Sequence, residues 1–199
     1  MKHVSGRKAK PKIKIKPDWK WITTIFGSTI GISATMSLIS NEVLEGSGLA
    51  VSFVVLLAIV FLGVIFDIIG VAVTAADEKP FHSMASKRIP EAATALHMLR
   101  KAERVSSFCN DVVGDICGVI SGSASAVIAA RAVMGMQPVL ASVVQLLMSA
   151  LVAGLTVGGK AFGKSIAMGN SIQIIHVAAK IIYTVKTLPK RLYRVRKNR

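Results

Sequence analysis

Cysteine is nearly absent from this chain. The 199 residues include only 2 cysteines, Cys109 and Cys117, and eight positions along one helix would separate their α-carbons by about 12 Å. That distance is too long for a disulfide, and neither cysteine has a second ligand at the spacing of a metal site. We therefore expect two thiols with a packing role and find no signal of an oxidising compartment.

Charged residues are also few, whereas long apolar runs are many. Hydrophobic types make up 52% of the chain and charged types 18%, with 25 Lys and Arg against 10 Asp and Glu. A soluble basic protein would spread its charges along the sequence, but here Ala, Val, Ile and Gly fill long blocks. The composition predicts an all-α polytopic integral membrane protein. It leaves no room for a separate catalytic domain, so we do not expect an enzyme.

Four apolar stretches reach the roughly 20 residues that cross a hydrocarbon core of about 30 Å. The predicted spans are Ile22–Ser40, Leu49–Ala76, Phe108–Met134 and Val139–Val157. Trp19 and Trp21 precede the first span at the position of an aromatic belt. We expect a polar turn over Asn41–Ser47 and a Gly- and Lys-rich break beyond Gly158.

A stretch of mixed charge, residues 77–107, separates the second and third spans. Within it Ala92, Leu96 and Leu99 repeat at helical spacing after Pro90, which predicts an amphipathic helix. We therefore expect a helical hairpin on the cytoplasmic surface. A second amphipathic stretch, Ile172–Val185, precedes a basic tail.

The basic residues predict the orientation. Lys and Arg number 8 in residues 1–20, none in 41–48, 6 in 77–107, 1 in 131–138 and 10 in 160–199. By the positive-inside rule, both termini are cytoplasmic in a multi-pass protein of the cell membrane. We divide the chain into a basic cytoplasmic arm (1–20), an N-terminal span with its outer turn (21–48), a membrane domain (49–186) and a basic cytoplasmic tail (187–199). Beside a span, the arm is expected to contact anionic lipid headgroups rather than nucleic acid.

Residues 158–165 match the phosphate-binding pattern G-x-x-x-x-G-K-S. That pattern binds phosphate only between a strand and a helix, because the loop amides must point at the phosphates. Here it follows an apolar helix, and no alternation of strands and helices surrounds it. Nucleotide hydrolysis is therefore not expected.

Small residues form a stripe in the third span. Gly114, Gly118 and Gly122 repeat every four residues, and Ala126 and Ala130 continue the series. Small residues let helices approach closely in lipid. We interpret the stripe as a contact between helices of one chain, with a dimer seam as the alternative.

Ionisable residues inside predicted spans are unusual, because each costs about 2.5–3.5 kcal/mol on insertion scales. The unusual ionisable residues are Asp67, Asp111 and Asp115 within the spans and Lys160 just beyond the fourth span. Asp111 and Asp115 are one turn apart, with Asn110 beside them. Their oxygens and those of Asp67 suit a cation or proton site. An ion pair between an aspartate and Lys160 would relieve the same cost, and both interpretations stay open.

The order of these pieces resembles the transmembrane domain of the cyclin M/CorB/CorC magnesium transporter family (domain of unknown function 21). The resemblance covers roughly residues 50–195 and rests on an apolar helix, the stretch Leu-His-Met-Leu-Arg-Lys-Ala-Glu-Arg-Val-Ser-Ser-Phe at 96–108, a Gly-rich helix and Lys-Ser-Ile-Ala at 164–167. It implies a homodimer, a juxtamembrane hairpin and an intramembrane magnesium site of Ser, Asn and Glu. The family's CBS domains are expected to be absent here, and an extra first span to be present.

Three motifs of the family align with positions at which this chain has different residues. Ser-x-x-Glu falls on 67–70, Gly-Asn on 114–115, and Gly-Glu-x-x-Pro-Lys on 159–164. At Lys160 an ammonium replaces a ligand carboxylate and opposes a metal, while carboxylates gained at Asp67 and Asp115 could neutralise it. The resemblance thus implies a rewritten ion site drawn from Asp67, Asn110, Asp111 and Asp115.

The sequence therefore predicts a role in divalent-cation transport or its regulation, with magnesium as the ion. The expected assembly is a homodimer or a complex with a membrane partner protein. The alternative is a non-transporting scaffold or accessory subunit that pairs Lys160 with Asp67 or Asp115.

Overall fold

The structure, a computed structural model, describes residues 18–197, with side chains throughout that range except at Glu45 and at residues 189–197. The described chain is helical and contains no strand. In order, its elements are α1 (Trp19–Gly46), α2 (Leu49–Ala75), α3 (Lys79–Ser86), α4 (Ala92–Leu99), α5 (Ala102–Ser107), a π-helical segment (Phe108–Gly114), α6 (Asp115–Ala132), α7 (Pro138–Gly169) and α8 (Ser171–Lys197). The all-α class is confirmed, and most of the predicted basic arm lies outside the described residues.

Four helical stretches are long and apolar enough to cross a membrane. They are Trp19–Leu44, Leu49–Ala75, Ala102–Ala132 and Pro138–Gly169. The third joins α5, the π-helical segment and α6. Each predicted span falls on one of these stretches, and α2 matches its predicted range to within one residue. The predicted number of apolar helical stretches of membrane-crossing length is therefore confirmed in the described residues.

Helix α1 is longer than its predicted span. It continues to Gly46, so the predicted turn over Asn41–Ser47 is wrong, and a two-residue link joins α1 to α2. The last turn is held by packing, because Leu44 is 2% exposed and lies against α2 and α6. Arg131 of α6 also donates a hydrogen bond to the carbonyl oxygen of Leu44. Its positive charge stabilises the C-terminus of α1, which is the negative end of the helix dipole.

The short helices α3 and α4 confirm the predicted hairpin. Ala92, Leu96 and Leu99 are buried on one face of α4, as their spacing predicts. Phe81 of α3 is fully buried in the same cluster, together with Ile175 of α8. The two amphipathic faces thus cover each other at one end of the bundle.

Helix α7 is uninterrupted, so the break predicted beyond Gly158 is wrong. A glycine inside a helix costs about 1 kcal/mol relative to alanine, but here tertiary contact offsets that cost. A Cβ on Gly159 would lie 3.1 Å from Val64 Cγ2, and one on Gly163 would lie 2.8 Å from Ile68 Cγ1. The glycines let α7 approach α2 closely. The phosphate-binding pattern is therefore helical here and does not form a phosphate loop.

Helix α2 lies at the centre of the bundle and contributes to three core clusters. Leu56 packs with α1 and α6, Ile59 with the π-helical segment and α6, and Ala72 and Val73 with α3, α4, α7 and α8. Asp67 falls between the second and third clusters. The most unusual residue of α2 is thus surrounded by helices.

Candidate functional site

Helix α2 packs closely against the long helix Ala102–Ala132 because two residues of α2 at this contact are glycines. A Cβ on Gly63 would lie 2.9 Å from Cys117 Cβ, and a Cβ on Gly70 would overlap Asn110 Oδ1. Because higher numbers on α2 meet lower numbers on its neighbour, the two helices are antiparallel. Asp67 therefore lies level with the middle of this contact, between Asn110 and Cys117.

Two acceptor oxygens are buried in this contact without donors. Asp67 is 5% exposed, and its Oδ2 makes no hydrogen bond. Asn110 Oδ1 lies against Gly70, one turn from Asp67 on α2, and is likewise buried and unpartnered. Leaving one buried acceptor unpaired costs about 1–3 kcal/mol, and a charged one costs more. Both oxygens are therefore free to accept a hydrogen bond or to ligate a cation.

The π-helical segment positions Asn110. A single π turn widens the helix locally and is frequent at functional sites. Asn110 Nδ2 donates to Ser106 Oγ at 3.3 Å, while its Oδ1 is directed at Gly70. The sequence prediction missed this segment and placed the helix start at Phe108, whereas the helix begins at Ala102. No local pattern signals a π turn, although the cluster of polar residues from Ser106 onward marks its place.

The aspartates at 111 and 115 face away from the buried contact. Both are exposed, and Asp111 Oδ2 accepts a hydrogen bond from Ser107 Oγ at 2.7 Å. Within residues 18–197, no group of three or more His, Cys, Asp or Glu is placed to hold a metal ion. The structure thus divides the predicted ligand set: Asp67 and Asn110 each have a buried oxygen at the contact between α2 and the long helix, whereas Asp111 and Asp115 are exposed.

Lys160 of α7 lies at the same level of the bundle as Gly114. Its Nζ donates to the carbonyl oxygen of Gly114 at 3.4 Å. Among the described side chains, no carboxylate lies within 4.0 Å of this ammonium, so the predicted ion pair with Asp67 or Asp115 is not formed in this structure. The ammonium has three donors and uses one of them on a long bond. Lys160 is thus a weakly held charge beside Gly114.

Of the three glycines in the stripe, only Gly114 has a neighbouring atom within 4 Å of the position that a Cβ would occupy. A Cβ on Gly114 would lie 3.4 Å from Lys160 Nζ, but one on Gly118 or Gly122 would meet no atom within 4 Å. A close contact within the chain is therefore not made at these two glycines, and the dimer seam stays a prediction. They line a crevice of about 180 Å³ between α6 and α7, together with Ser125.

Two polar contacts outside this site were missed by sequence reasoning. Arg104 lies 5.1 Å from the Trp21 ring centre and pairs with Asp18 at 3.2 Å. His176 of α8 lies 3.3 Å from Glu91 at the start of α4. The partners are more than 80 residues apart in both cases, so periodicity could not connect them.

Comparisons with known protein families, with characterised proteins and with solved structures found no match for this chain. The resemblance to the CorB/CorC membrane domain therefore stays a prediction from the residues quoted above.

Proposed function

We propose that the chain is a multi-pass protein of the cell membrane with both termini in the cytoplasm. The four long apolar helical stretches support this placement. Large apolar side chains are also exposed along them, among them Phe61 at 65%, Leu146 at 69% and Leu151 at 70%. Such a surface suits lipid rather than water. The orientation is supported by the basic residues, which are absent from 41–48 and number 6 in 77–107.

Within the membrane, the proposed function is divalent-cation transport or its regulation, with Asp67 at the centre of the ion site. The observation that carries this proposal is the pair of buried, unpartnered oxygens, Asp67 Oδ2 and Asn110 Oδ1. In a low-dielectric interior a carboxylate needs a proton or a cation close by. Mg²⁺ binds oxygen atoms, keeps several waters and uses one or two carboxylates, so this small donor set suits it.

Lys160 lowers the affinity of the proposed site. Its ammonium lies against Gly114, at the level of Asp67 in the bundle. A positive charge at this place repels a bound cation through a medium that screens poorly. The site is therefore expected to bind a divalent cation weakly, and movement of Lys160 would change that affinity.

The second candidate function is a non-transporting scaffold or accessory subunit. The observation that favours it is the outward placement of Asp111 and Asp115, which leaves one carboxylate in the buried contact. In this function Lys160 and Asp67 would serve to hold helices together. Binding of a partner protein would then replace cation binding.

The test is the melting temperature of the purified full chain in detergent against magnesium concentration. Magnesium is expected to raise it in the wild type, because a ligand at 100 times its dissociation constant stabilises by about 2.7 kcal/mol. Asp67→Asn should abolish the rise. Asp115→Asn, the same chemical change at an exposed position, should retain it. Gly70→Ala displaces Asn110 Oδ1 without altering Asp67 and should weaken the response.

If magnesium, manganese and calcium all leave the wild-type melting temperature unchanged, the cation site is ruled out. An equal rise in Asp67→Asn would mean that magnesium binds elsewhere. The scaffold function instead predicts that Asp67→Asn changes stability by the same amount with and without metal.

A further inference from the structure

A basic corner lies where the hairpin meets the long helix. Arg100 and Lys101 join α4 to α5, and both are exposed. Neither has a carboxylate within 4.0 Å in the described part of the chain. With Arg104 they line a surface depression of about 470 Å³, which also includes Glu103. Against these three cations stand two carboxylates, Glu103 and the Asp18 that pairs with Arg104, so the corner keeps a net positive charge that favours an anion.

Arg104 is held in place by two contacts. Its guanidinium lies 5.1 Å from the centre of the Trp21 ring, within cation–π range, and one of its nitrogens lies 3.2 Å from Asp18 Oδ2. A guanidinium has five N–H donors, so the single contact with Asp18 leaves others for a ligand. The side chain is thus oriented before any ligand arrives.

The location of the basic corner indicates which kind of anion it would bind. The stretch Ala102–Ala132 that could cross a membrane begins at this depression. Trp21 is a residue type that favours the membrane surface. Beyond the corner, the same helix exposes Phe108. A ligand with a phosphate at the surface and acyl chains along the helix fits this order of polar and apolar groups.

We propose that Arg100, Lys101 and Arg104 bind the phosphate of an anionic phospholipid headgroup. Arginine and lysine form charge-assisted hydrogen bonds with phosphate oxygens. The corner would thereby anchor the hairpin to the leaflet that it faces. This inference rests on the proposed membrane placement, but it does not depend on cation binding at Asp67.

The test compares two neighbouring basic pairs in the full-length protein. The first variant is Arg100→Gln with Lys101→Gln. Its control is Lys87→Gln with Arg88→Gln, an exposed pair at the end of α3. Phosphatidylglycerol binding is measured by native mass spectrometry in neutral detergent. Two juxtamembrane cations contribute roughly ten- to thirty-fold to anionic lipid binding, so the first variant should lose about that factor and the control should lose none.

Further probes separate the outcomes. Phosphatidylcholine should bind with equal weakness to all variants. If inorganic phosphate competes fully at millimolar concentration with phosphatidylglycerol, the ligand is free phosphate and the lipid proposal is overturned. Equal losses in both double variants would indicate general attraction to negative charge and would also overturn it. Melting curves without lipid identify any variant that fails to fold, and Arg104→Gln then provides the second test.

Failure of this inference is distinguishable from failure of the proposed function. Asp67→Asn should bind phosphatidylglycerol as the wild type does, whatever its response to magnesium. Extraction of the chain from cells by alkaline carbonate would contradict the membrane placement itself.

Discussion

The charged groups of the proposed ion site differ in how they are held. Asp67 is enclosed by α2's neighbours, whereas Lys160 reaches the site on a flexible stem and makes one long hydrogen bond of 3.4 Å. A long lysine stem can change its position when a ligand arrives more easily than an enclosed aspartate can. We therefore propose that Lys160, and not Asp67, moves when a cation binds.

Replacing Lys160 tests this assignment. Removing one partner of a buried ion pair typically costs about 3–5 kcal/mol, because the other charge is left unpaired. Lys160 forms no such pair in this structure, so Lys160→Met should cost less than about 1.5 kcal/mol, the scale of one neutral hydrogen bond. It should also increase the apparent affinity for magnesium, since a repelling charge is gone. Melting temperatures with and without magnesium measure both effects.

Lys160→Glu extends the same test. It restores the carboxylate that the resemblance implies at this position, so magnesium should stabilise this variant more than the wild type. A loss near the ion-pair value in Lys160→Met, repaired by Asp67→Asn, would instead show that the lysine and the aspartate pair in the membrane.

The glycines in the helices of this chain have two different environments. On α2 and α7, Gly63, Gly70 and Gly163 lie where a Cβ would collide with a neighbour. On α6, Gly118 and Gly122 line the crevice toward α7, and a Cβ on either would meet no atom within 4 Å. The first group serves close contacts within the chain, and we propose that the second group leaves room for a helix of a second copy, as the resemblance implies.

The substitution Gly118→Leu separates these uses of glycine. Because no atom of the chain lies within 4 Å of a Cβ there, the chain should fold with little change in melting temperature. A homodimer packed on the stripe should weaken, since a large side chain prevents close approach. Chemical crosslinking in membranes gives the dimer fraction. Ser123→Leu, exposed on the same helix but off the stripe, should leave that fraction unchanged.

Two results would contradict the dimer seam. A Gly118→Leu chain that crosslinks like the wild type would place the interface on another helix. A wild-type chain that never crosslinks would make the predicted homodimer wrong.

The whole molecule is organised around α2, which contacts both the hairpin end and the opposite end of the bundle. The hairpin, α8 and the basic corner lie at one end, and the two short links after α1 and α6 lie at the other. Because basic residues concentrate at the hairpin end, the proposed orientation places that end in the cytoplasm.

Cysteine labelling tests the orientation. Ser47 lies in the link between α1 and α2 and is a suitable position for the label. A cysteine at Ser47 should react with an impermeant thiol reagent from outside the cell. A cysteine at the exposed Ser86 of α3 should react only after the membrane is opened. The native Cys109 and Cys117 are buried and should contribute little background. The reverse pattern would invert the proposed topology.

Local sequence was sufficient for those features that depend on composition and periodicity. The range of α2, the buried face of α4 and the number of apolar stretches follow from runs of apolar residues and from helical spacing. Asp67 was predicted as a candidate site residue from the cost of an ionisable group in an apolar span, and Asn110 from its place beside Asp111 and Asp115. These properties belong to a segment and do not require knowledge of its neighbours.

Tertiary structure decided whatever depends on contact between distant segments. The glycines near 158 predicted a break, but α7 stays helical because Gly159 and Gly163 pack on α2. Periodicity placed Asp111 and Asp115 together yet could not show that both face outward, since a π turn shifts the register of the helix around them. The environment of Asp67 likewise depends on which backbones approach it. Sequence determined which residues are costly to bury, and only packing decided which of them are buried and what they touch.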